Sequence, residues 1–367
     1  MLRLARPDIP EAAITEAVEV LRSGNLAQGE QVARFEAALA EYLDVKHAIA
    51  VTSGTAALHL AVLALGIGPG DDVIVPAFTY PATANVVELV GARTVLVDVG
   101  LDDFCLDVSH LKKVVTPRVK AIIPVHEFGQ SADMDGVMAF AERHGIDVIE
   151  DAACALGAEF RGRKVGTIGR LGCFSFHPRK AITTGEGGAV TTDHDELANM
   201  VRSLRNHGLD PESPGRMDFI RAGLNYRMTE FQAVLGRHQM TGLHELIEAR
   251  QLQANLYDEL LARIPGLKVP GRFPERRSVH QTYHVILPEN IGRADLILWL
   301  KDRGIETNLG AHALNCLTYF KSKHRSRAED YLNATICWRR GLALPIGAHC
   351  FDEDIRRIAA ELKKNLA

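Results

Sequence analysis

Seven short apolar runs, separated by stretches of helical spacing, constrain this chain more than any other feature. The runs are Ala48 to Val51, Val73 to Val75, Thr94 to Val97, Ala121 to Pro124, Val148 to Glu150, Cys173 to Phe176 and Ala189 to Thr192. Most are apolar on both faces, which predicts strands buried between two layers rather than strands with one wet face. Helical patterns such as Thr55 to Leu65 and Met134 to His144 fall between several of them. That alternation predicts an α/β fold around a mostly parallel sheet.

The flanks add helices. Pro10 to Arg22 reads as one, with proline near its start and Gly24 past its end. Glu30 to Leu43 reads as a second, with Val32, Phe35, Leu39 and Leu43 near one face. A single long helix from Thr229 to about Leu261 is expected to lead into a smaller C-terminal unit. That unit shows a strand at Tyr283 to Leu287 and helices at Ala294 to Arg303 and Asp354 to Leu366. A chain of 367 residues is long enough for two domains. The expected division is an N-terminal segment plus large domain over residues 1–240 and a small domain over 241–367.

Composition removes several classes of function. Net charge is −4 with histidines neutral, and no basic stripe or polybasic tail is present, so nucleic acid and anionic membrane are not expected partners. The apolar stretches are all interrupted well short of a membrane span, and Met1 to Pro7 has no apolar core of the secretory kind. A cytoplasmic protein is expected. Cys105, Cys154, Cys173, Cys316, Cys337 and Cys350 form no CxxC pair, so free thiols and no metal site are expected. No Walker A loop, GxSxG or HExxH occurs, and Gly66 to Gly70 reads as a turn rather than a dinucleotide fingerprint.

The chemistry gathers around Lys180. It lies in a short loop between two apolar runs, after Ser175-Phe176-His177-Pro178-Arg179 and before Thr183-Thr184-Gly185-Glu186-Gly187-Gly188. A lysine at a strand edge among hydroxyls and small residues suits a reversible imine with a carbonyl cofactor. Burial, or positive neighbours such as His177 and Arg179, eases loss of its proton. Alone, such a lysine is only a turn residue, and other parts of the chain decide the matter. Ser53-Gly54-Thr55-Ala56 marks a strand-to-helix junction, which is an anion site or simply a helix cap. Asp151 ends a strand, where ligands of open α/β sheets gather. A carboxylate there can keep a pyridinium nitrogen charged, or it can be a capping aspartate. Tyr80 can stack on a ring or belong to the core. Ser175, five residues before Lys180, is a second hydroxyl for a phosphate or a plain strand serine.

In this order the pieces resemble the sugar aminotransferases of the DegT/DnrJ/StrS family, of the aspartate aminotransferase-like fold type I. The likeness runs over nearly the whole chain. It rests on SGTAALHLAVLALGIGPGDDVIVPAFTY, GQSADMD, IEDAACALGA, SFHPRKAITTGEGG, LRNHG and LNYRMTEFQAVLG. The resemblance implies a large domain with a mostly parallel seven-stranded sheet between helices and a smaller C-terminal α/β domain. It also implies pyridoxal 5′-phosphate as cofactor. Lys180 then matches the Schiff-base lysine, Asp151 the partner of the ring nitrogen and Tyr80 the stacking ring. Gly54, Thr55, Ala56 and Ser175 match the phosphate site, and His177 a histidine beside the substrate. Asn225 matches an asparagine that reaches the phosphate of the neighbouring subunit, which implies a homodimer with shared active sites.

Three places depart from the family pattern. Cys154 stands where many relatives have Gln or His at the cofactor hydroxyl. His126-Glu127-Phe128-Gly129-Gln130 replaces His-Leu-Tyr-Gly-Gln. The substrate loop over residues 307–315 is also atypical. The activity implied is transfer of an amino group from L-glutamate to a keto-sugar nucleotide. The His-Pro-x-Lys and Thr-Thr-Gly-Glu-Gly-Gly forms favour a 4-keto-6-deoxyhexose over a 3-keto sugar or a keto-cyclitol. A dehydratase would put histidine at position 180, and a non-catalytic regulator would not need the whole cofactor set.

Overall fold

The computed structural model describes residues 1–210 and 217–366. Its centre is a seven-stranded sheet made of β1 (His47–Val51), β2 (Asp72–Pro76), β3 (Arg93–Val97), β4 (Val119–Ile122), β5 (Asp147–Asp151), β6 (Leu171–Ser175) and β7 (Gly188–Thr192). The spatial order is β1-β7-β6-β5-β4-β2-β3. β2 through β6 pair in parallel, and β7 runs antiparallel to both β1 and β6. All five residues of β2 and of β7 are buried, as expected for strands covered by helices on both faces. The expected α/β architecture is therefore the observed one.

The strand ends set the site. With only β7 reversed, the carboxyl ends of β1, β2, β4, β5 and β6 open on the same side. β1 leads through Ser53 into α3 (Gly54–Ala64), where the Ser53 hydroxyl accepts the Ala56 N–H at 3.0 Å. Glycine is needed at the junction. A Cβ on Gly54 would lie 2.8 Å from Ser175 Cβ, and one on Gly188 would lie 2.5 Å from the Ser53 carbonyl. The missing side chains let the start of α3 sit against the end of β6.

Two helices precede the sheet. α1 (Glu11–Ser23) ends at Gly24 in the left-handed region, φ 76°, and α2 (Glu30–Leu43) buries Val32, Phe35, Leu39 and Leu43. The single helix expected from Thr229 to Leu261 is in fact two, Glu230–Met240 and Leu243–Leu261. Gly242, with φ −103° and ψ 11°, interrupts the ladder, in keeping with the weak helix propensity of glycine. A separate core lies toward the C-terminus, built around Tyr257, Tyr283, Leu300, Leu342, Ile358 and Leu362. Its strands Tyr283–Ile286 and Gly341–Leu344 pair antiparallel.

Candidate active site

The strand ends and α3 enclose a cavity of ≈ 530 Å³ lined by residues that include Gly54, Thr55, Tyr80, Asp151, Ser175 and Lys180. Asn308, Gly310 and Ala311 of the 307–315 loop also line it. His312 and Ala313 pair with Thr79 and Phe78, and the His312 and Tyr80 rings lie 6.2 Å apart. A second cavity of ≈ 540 Å³ lies apart from these residues, and its arginines are paired, Arg272 with Asp258, Arg276 with Asp103 and Arg277 with Glu159. It holds none of the groups expected to do chemistry.

The Lys180 loop is clamped from three sides. Lys180 N–H donates to the His177 carbonyl at 2.8 Å, and the Thr184 N–H returns to Phe176 O at 3.0 Å. Gln239 brackets Thr183, accepting its N–H at 3.0 Å and donating to its carbonyl at 2.7 Å. Gln281 donates to the Arg179 carbonyl at 2.7 Å. The side chain so positioned places Lys180 Nζ 2.9 Å from Cys154 Sγ.

The charge state of that amine differs from the expectation. Burial pushes the Lys180 pKa down, but Cys154, Asp151 and Glu127 outweigh it and the net shift is upward. His177 and Arg179 are its neighbours in sequence, yet the charges that act on it are those of Asp151, at the end of β5, and Glu127, beyond β4. Burial likewise pushes the Cys154 thiol up, against the Lys180 charge.

Asp151 is buried at the end of β5. Its N–H donates to the Pro124 carbonyl at 2.9 Å, and its own carbonyl accepts from His126 at 3.0 Å. The Thr83 hydroxyl donates to Asp151 Oδ2 at 2.7 Å, and the Ala153 N–H to Oδ1 at 3.1 Å. Burial raises the Asp151 pKa against these two bonds. No helix begins at Asp151, so it is not a capping aspartate. Neighbouring Glu127 is also buried, and burial followed by the Asp151 charge pushes it up to about 8.

Most residues expected from the sequence converge here. Gly54, Thr55, Tyr80, Asp151, Cys154, Ser175, His177 and Lys180 all line the cavity. Tyr80 is 67% exposed at the rim, and burial lowers the His177 pKa. Ala56 does not line the cavity, and its N–H is taken by Ser53. Asn225 is exposed outside the cavity and bridges to Asn206. Sequence reasoning missed Glu127 and Thr83 as parts of the site. The unusual glutamate after His126 was the only signal for the first.

The residues fit pyridoxal phosphate. The first N–H groups of α3 lack intrahelical partners and attract an anion, with Thr55 and Ser175 hydroxyls at hand. The lysine and the buried carboxylate share one cavity. One buried oxygen, Glu127 Oε2, has no hydrogen-bond partner among the described residues.

Comparison with known proteins agrees with this geometry. The pattern of the DegT/DnrJ/EryC1/StrS aminotransferase family matches residues 7–363. GDP-perosamine synthase of Caulobacter vibrioides is 42% identical over 346 residues, covering 92% of this chain and 91% of the relative. The UDP-4-amino-4-deoxy-L-arabinose–oxoglutarate aminotransferase of Shewanella sediminis is 34% identical over 380 residues, covering 99% and 97%. A sugar aminotransferase of Streptococcus pneumoniae in its PMP form has a TM-score of 0.93 at 28% identity, covering 99% of this chain and 98% of that one. A PLP form of the same protein is also similar.

Proposed function

The chain belongs to the DegT/DnrJ/EryC1/StrS aminotransferase family and is a pyridoxal-phosphate-dependent sugar aminotransferase; from that premise we propose that it carries an amino group from L-glutamate to the C4 keto carbon of a nucleotide-linked 4-keto-6-deoxyhexose. The observation that carries the chemistry is the convergence of Lys180, Asp151, Ser175 and the start of α3 on one cavity. The His-Pro-x-Lys form around Lys180 supports the C4 position. So does the printed name of the Shewanella relative, which pairs a 4-amino sugar nucleotide with oxoglutarate.

The roles follow from placement. When bound, the cofactor supplies a reactive carbonyl and an electron-withdrawing ring. Lys180 holds it covalently at rest. The Lys180 amine, when free, would carry one proton between the donor α-carbon and the cofactor C4′, first as base and then as acid. Asp151, fixed by Thr83, keeps the ring nitrogen protonated. The N–H groups of Gly54 and Thr55, with the Thr55 and Ser175 hydroxyls, hold the phosphate. Tyr80 covers the ring face, and His177 faces the sugar. Asn225 reaches the site of the partner subunit in a cytoplasmic homodimer. Among the described residues no helix is long and apolar enough to cross a membrane.

The test has two parts. Borohydride treatment of the reconstituted protein should fix the cofactor at Lys180. Initial rates with L-glutamate should then favour a 4-keto over a 3-keto nucleotide sugar and over a keto-cyclitol. Preference for either of the latter overturns the assigned carbon or acceptor, and a protein that forms no adduct overturns the catalytic assignment.

A further inference from the structure

Glu127 is 4% exposed, and its Oε2 has no hydrogen-bond partner among the described residues. It lines the same cavity as Asp151, Cys154 and Lys180. A buried polar atom without a partner is costly, and such exceptions in a folded protein call for an explanation. Thr79 lies beside the Glu127 carboxyl, and its Oγ1 stands 3.3 Å from Thr83 Oγ1, which donates to Asp151. Two adjacent hydroxyls thus lie between Glu127 and the carboxylate that faces the ring nitrogen.

The chemistry of pyridoxal phosphate identifies what completes this group. Between the ring carbon that meets Lys180 and the nitrogen that meets Asp151 there are two edges. One carries the phosphate arm, which α3 and Ser175 receive. The other carries the 3-oxygen, an anion in the bound cofactor that requires a donor. Cys154 is beside Lys180, but its sulfur already accepts the Lys180 bond and a thiol donates weakly.

We propose that Glu127 is a further cofactor-binding residue, donating a hydrogen bond from its carboxyl to the 3-oxygen of pyridoxal phosphate. The inference rests on the catalytic reading above. Burial and the Asp151 charge push Glu127 up to about 8, so the carboxyl carries its proton at neutral pH. Lys180 and Cys154 are the other titratable groups coupled to it.

The experiment is a visible-absorbance titration of the apoprotein with pyridoxal phosphate, comparing wild type, Glu127→Leu and Glu127→Gln. Melting curves of the three apoproteins are recorded alongside. Losing a hydrogen bond to a charged oxygen lowers affinity by about 10- to 150-fold, which is expected for the leucine variant. The glutamine variant keeps a donor and should stay within about threefold of wild type. Apo Glu127→Leu should melt at or above wild type, because it removes an unpaired buried polar atom. A role limited to packing cannot raise apo stability while weakening the cofactor. Unchanged affinity in Glu127→Leu, or equal losses in both variants, overturns the proposal while leaving the catalytic reading intact. A wild type that forms no borohydride-stable adduct overturns both.

Discussion

His126 Nε2 lies 2.9 Å from Glu150 Oε2, and both side chains are fully buried directly beside the strand position that carries Asp151. Glu150 also accepts the N–H groups of Gly166, Ile168 and Gly169, at 2.8, 2.6 and 2.6 Å. One carboxylate thus binds the 166–169 loop and the turn after β4 to the strand that presents Asp151. Removing one partner of a buried pair leaves the other uncompensated, so Glu150→Ala should lose about 3–5 kcal/mol of stability in urea denaturation at neutral pH.

The same pair gives a pH dependence with a definite sign. Burial alone would raise the Glu150 pKa, but His126 and the N–H groups of Gly169 and Gly166 bring it below its ordinary value of 4.5. A group whose folded pKa is depressed contributes stability above its unfolded pKa and loses it as pH falls through the folded one. Wild-type stability should therefore fall more steeply than that of Glu150→Gln as pH is lowered from about 4.5. Denaturation midpoints at stepwise lower pH check this, and parallel curves would show that Glu150 titrates as it does in the unfolded chain.

Thr83→Val should impair turnover through Asp151. The variant keeps the shape of the side chain but removes the 2.7 Å bond to Oδ2. Burial already raises the Asp151 pKa and Thr83 opposes it, so the loss raises it further. The acid limb of the kcat profile should move to higher pH, with kcat down about tenfold near neutrality for a lost charged hydrogen bond. Rate against pH for both proteins reads both effects.

The fold and the first layer of the site were legible for local reasons. Val32, Phe35, Leu39 and Leu43 repeat at helical spacing and are the residues that α2 buries. Asp151 and Ser175 end apolar runs, and a parallel sheet brings such ends to one side. Glu127 and Thr83 were not legible. Glu127 is coupled to Asp151, and Thr83 bonds Asp151 across 68 residues of chain. No local pattern encodes that meeting. The charge of Lys180 was misjudged for the same reason, since its sequence neighbours are cationic while its spatial ones are acidic. The break after Met240 lay at Gly242, where a single glycine outweighed otherwise continuous helical spacing.

A different stability determinant lies far from the cofactor. Glu230 is 6% exposed and accepts the N–H groups of Gly29, Gln31 and Val32, at 2.8, 2.9 and 3.0 Å. It caps the start of α2 from another helix. Glu230→Ala strips three donors of their acceptor and should cost about 2–4 kcal/mol. Cofactor affinity should be unchanged because Glu230 is not among the cavity residues. Chemical denaturation and a cofactor titration on one preparation separate the two.

The proposed sharing of the active site between two subunits gives the most discriminating outcome. Lys180→Ala should bind the cofactor without a covalent link and lose roughly 10³-fold in turnover, since nucleophile and proton carrier vanish together. Asn225 is exposed and outside the cavity of its own chain, so Asn225→Ala should weaken cofactor binding only in the neighbouring site. In a two-fold dimer each site then takes Lys180 from one chain and Asn225 from the other. Mixing the two variants makes heterodimers in which one site lacks both residues and the other lacks neither. Random assortment makes half the dimers mixed, so activity should recover to about a quarter of wild type. If both residues served the same chain, every site would carry one defect and mixing would restore nothing.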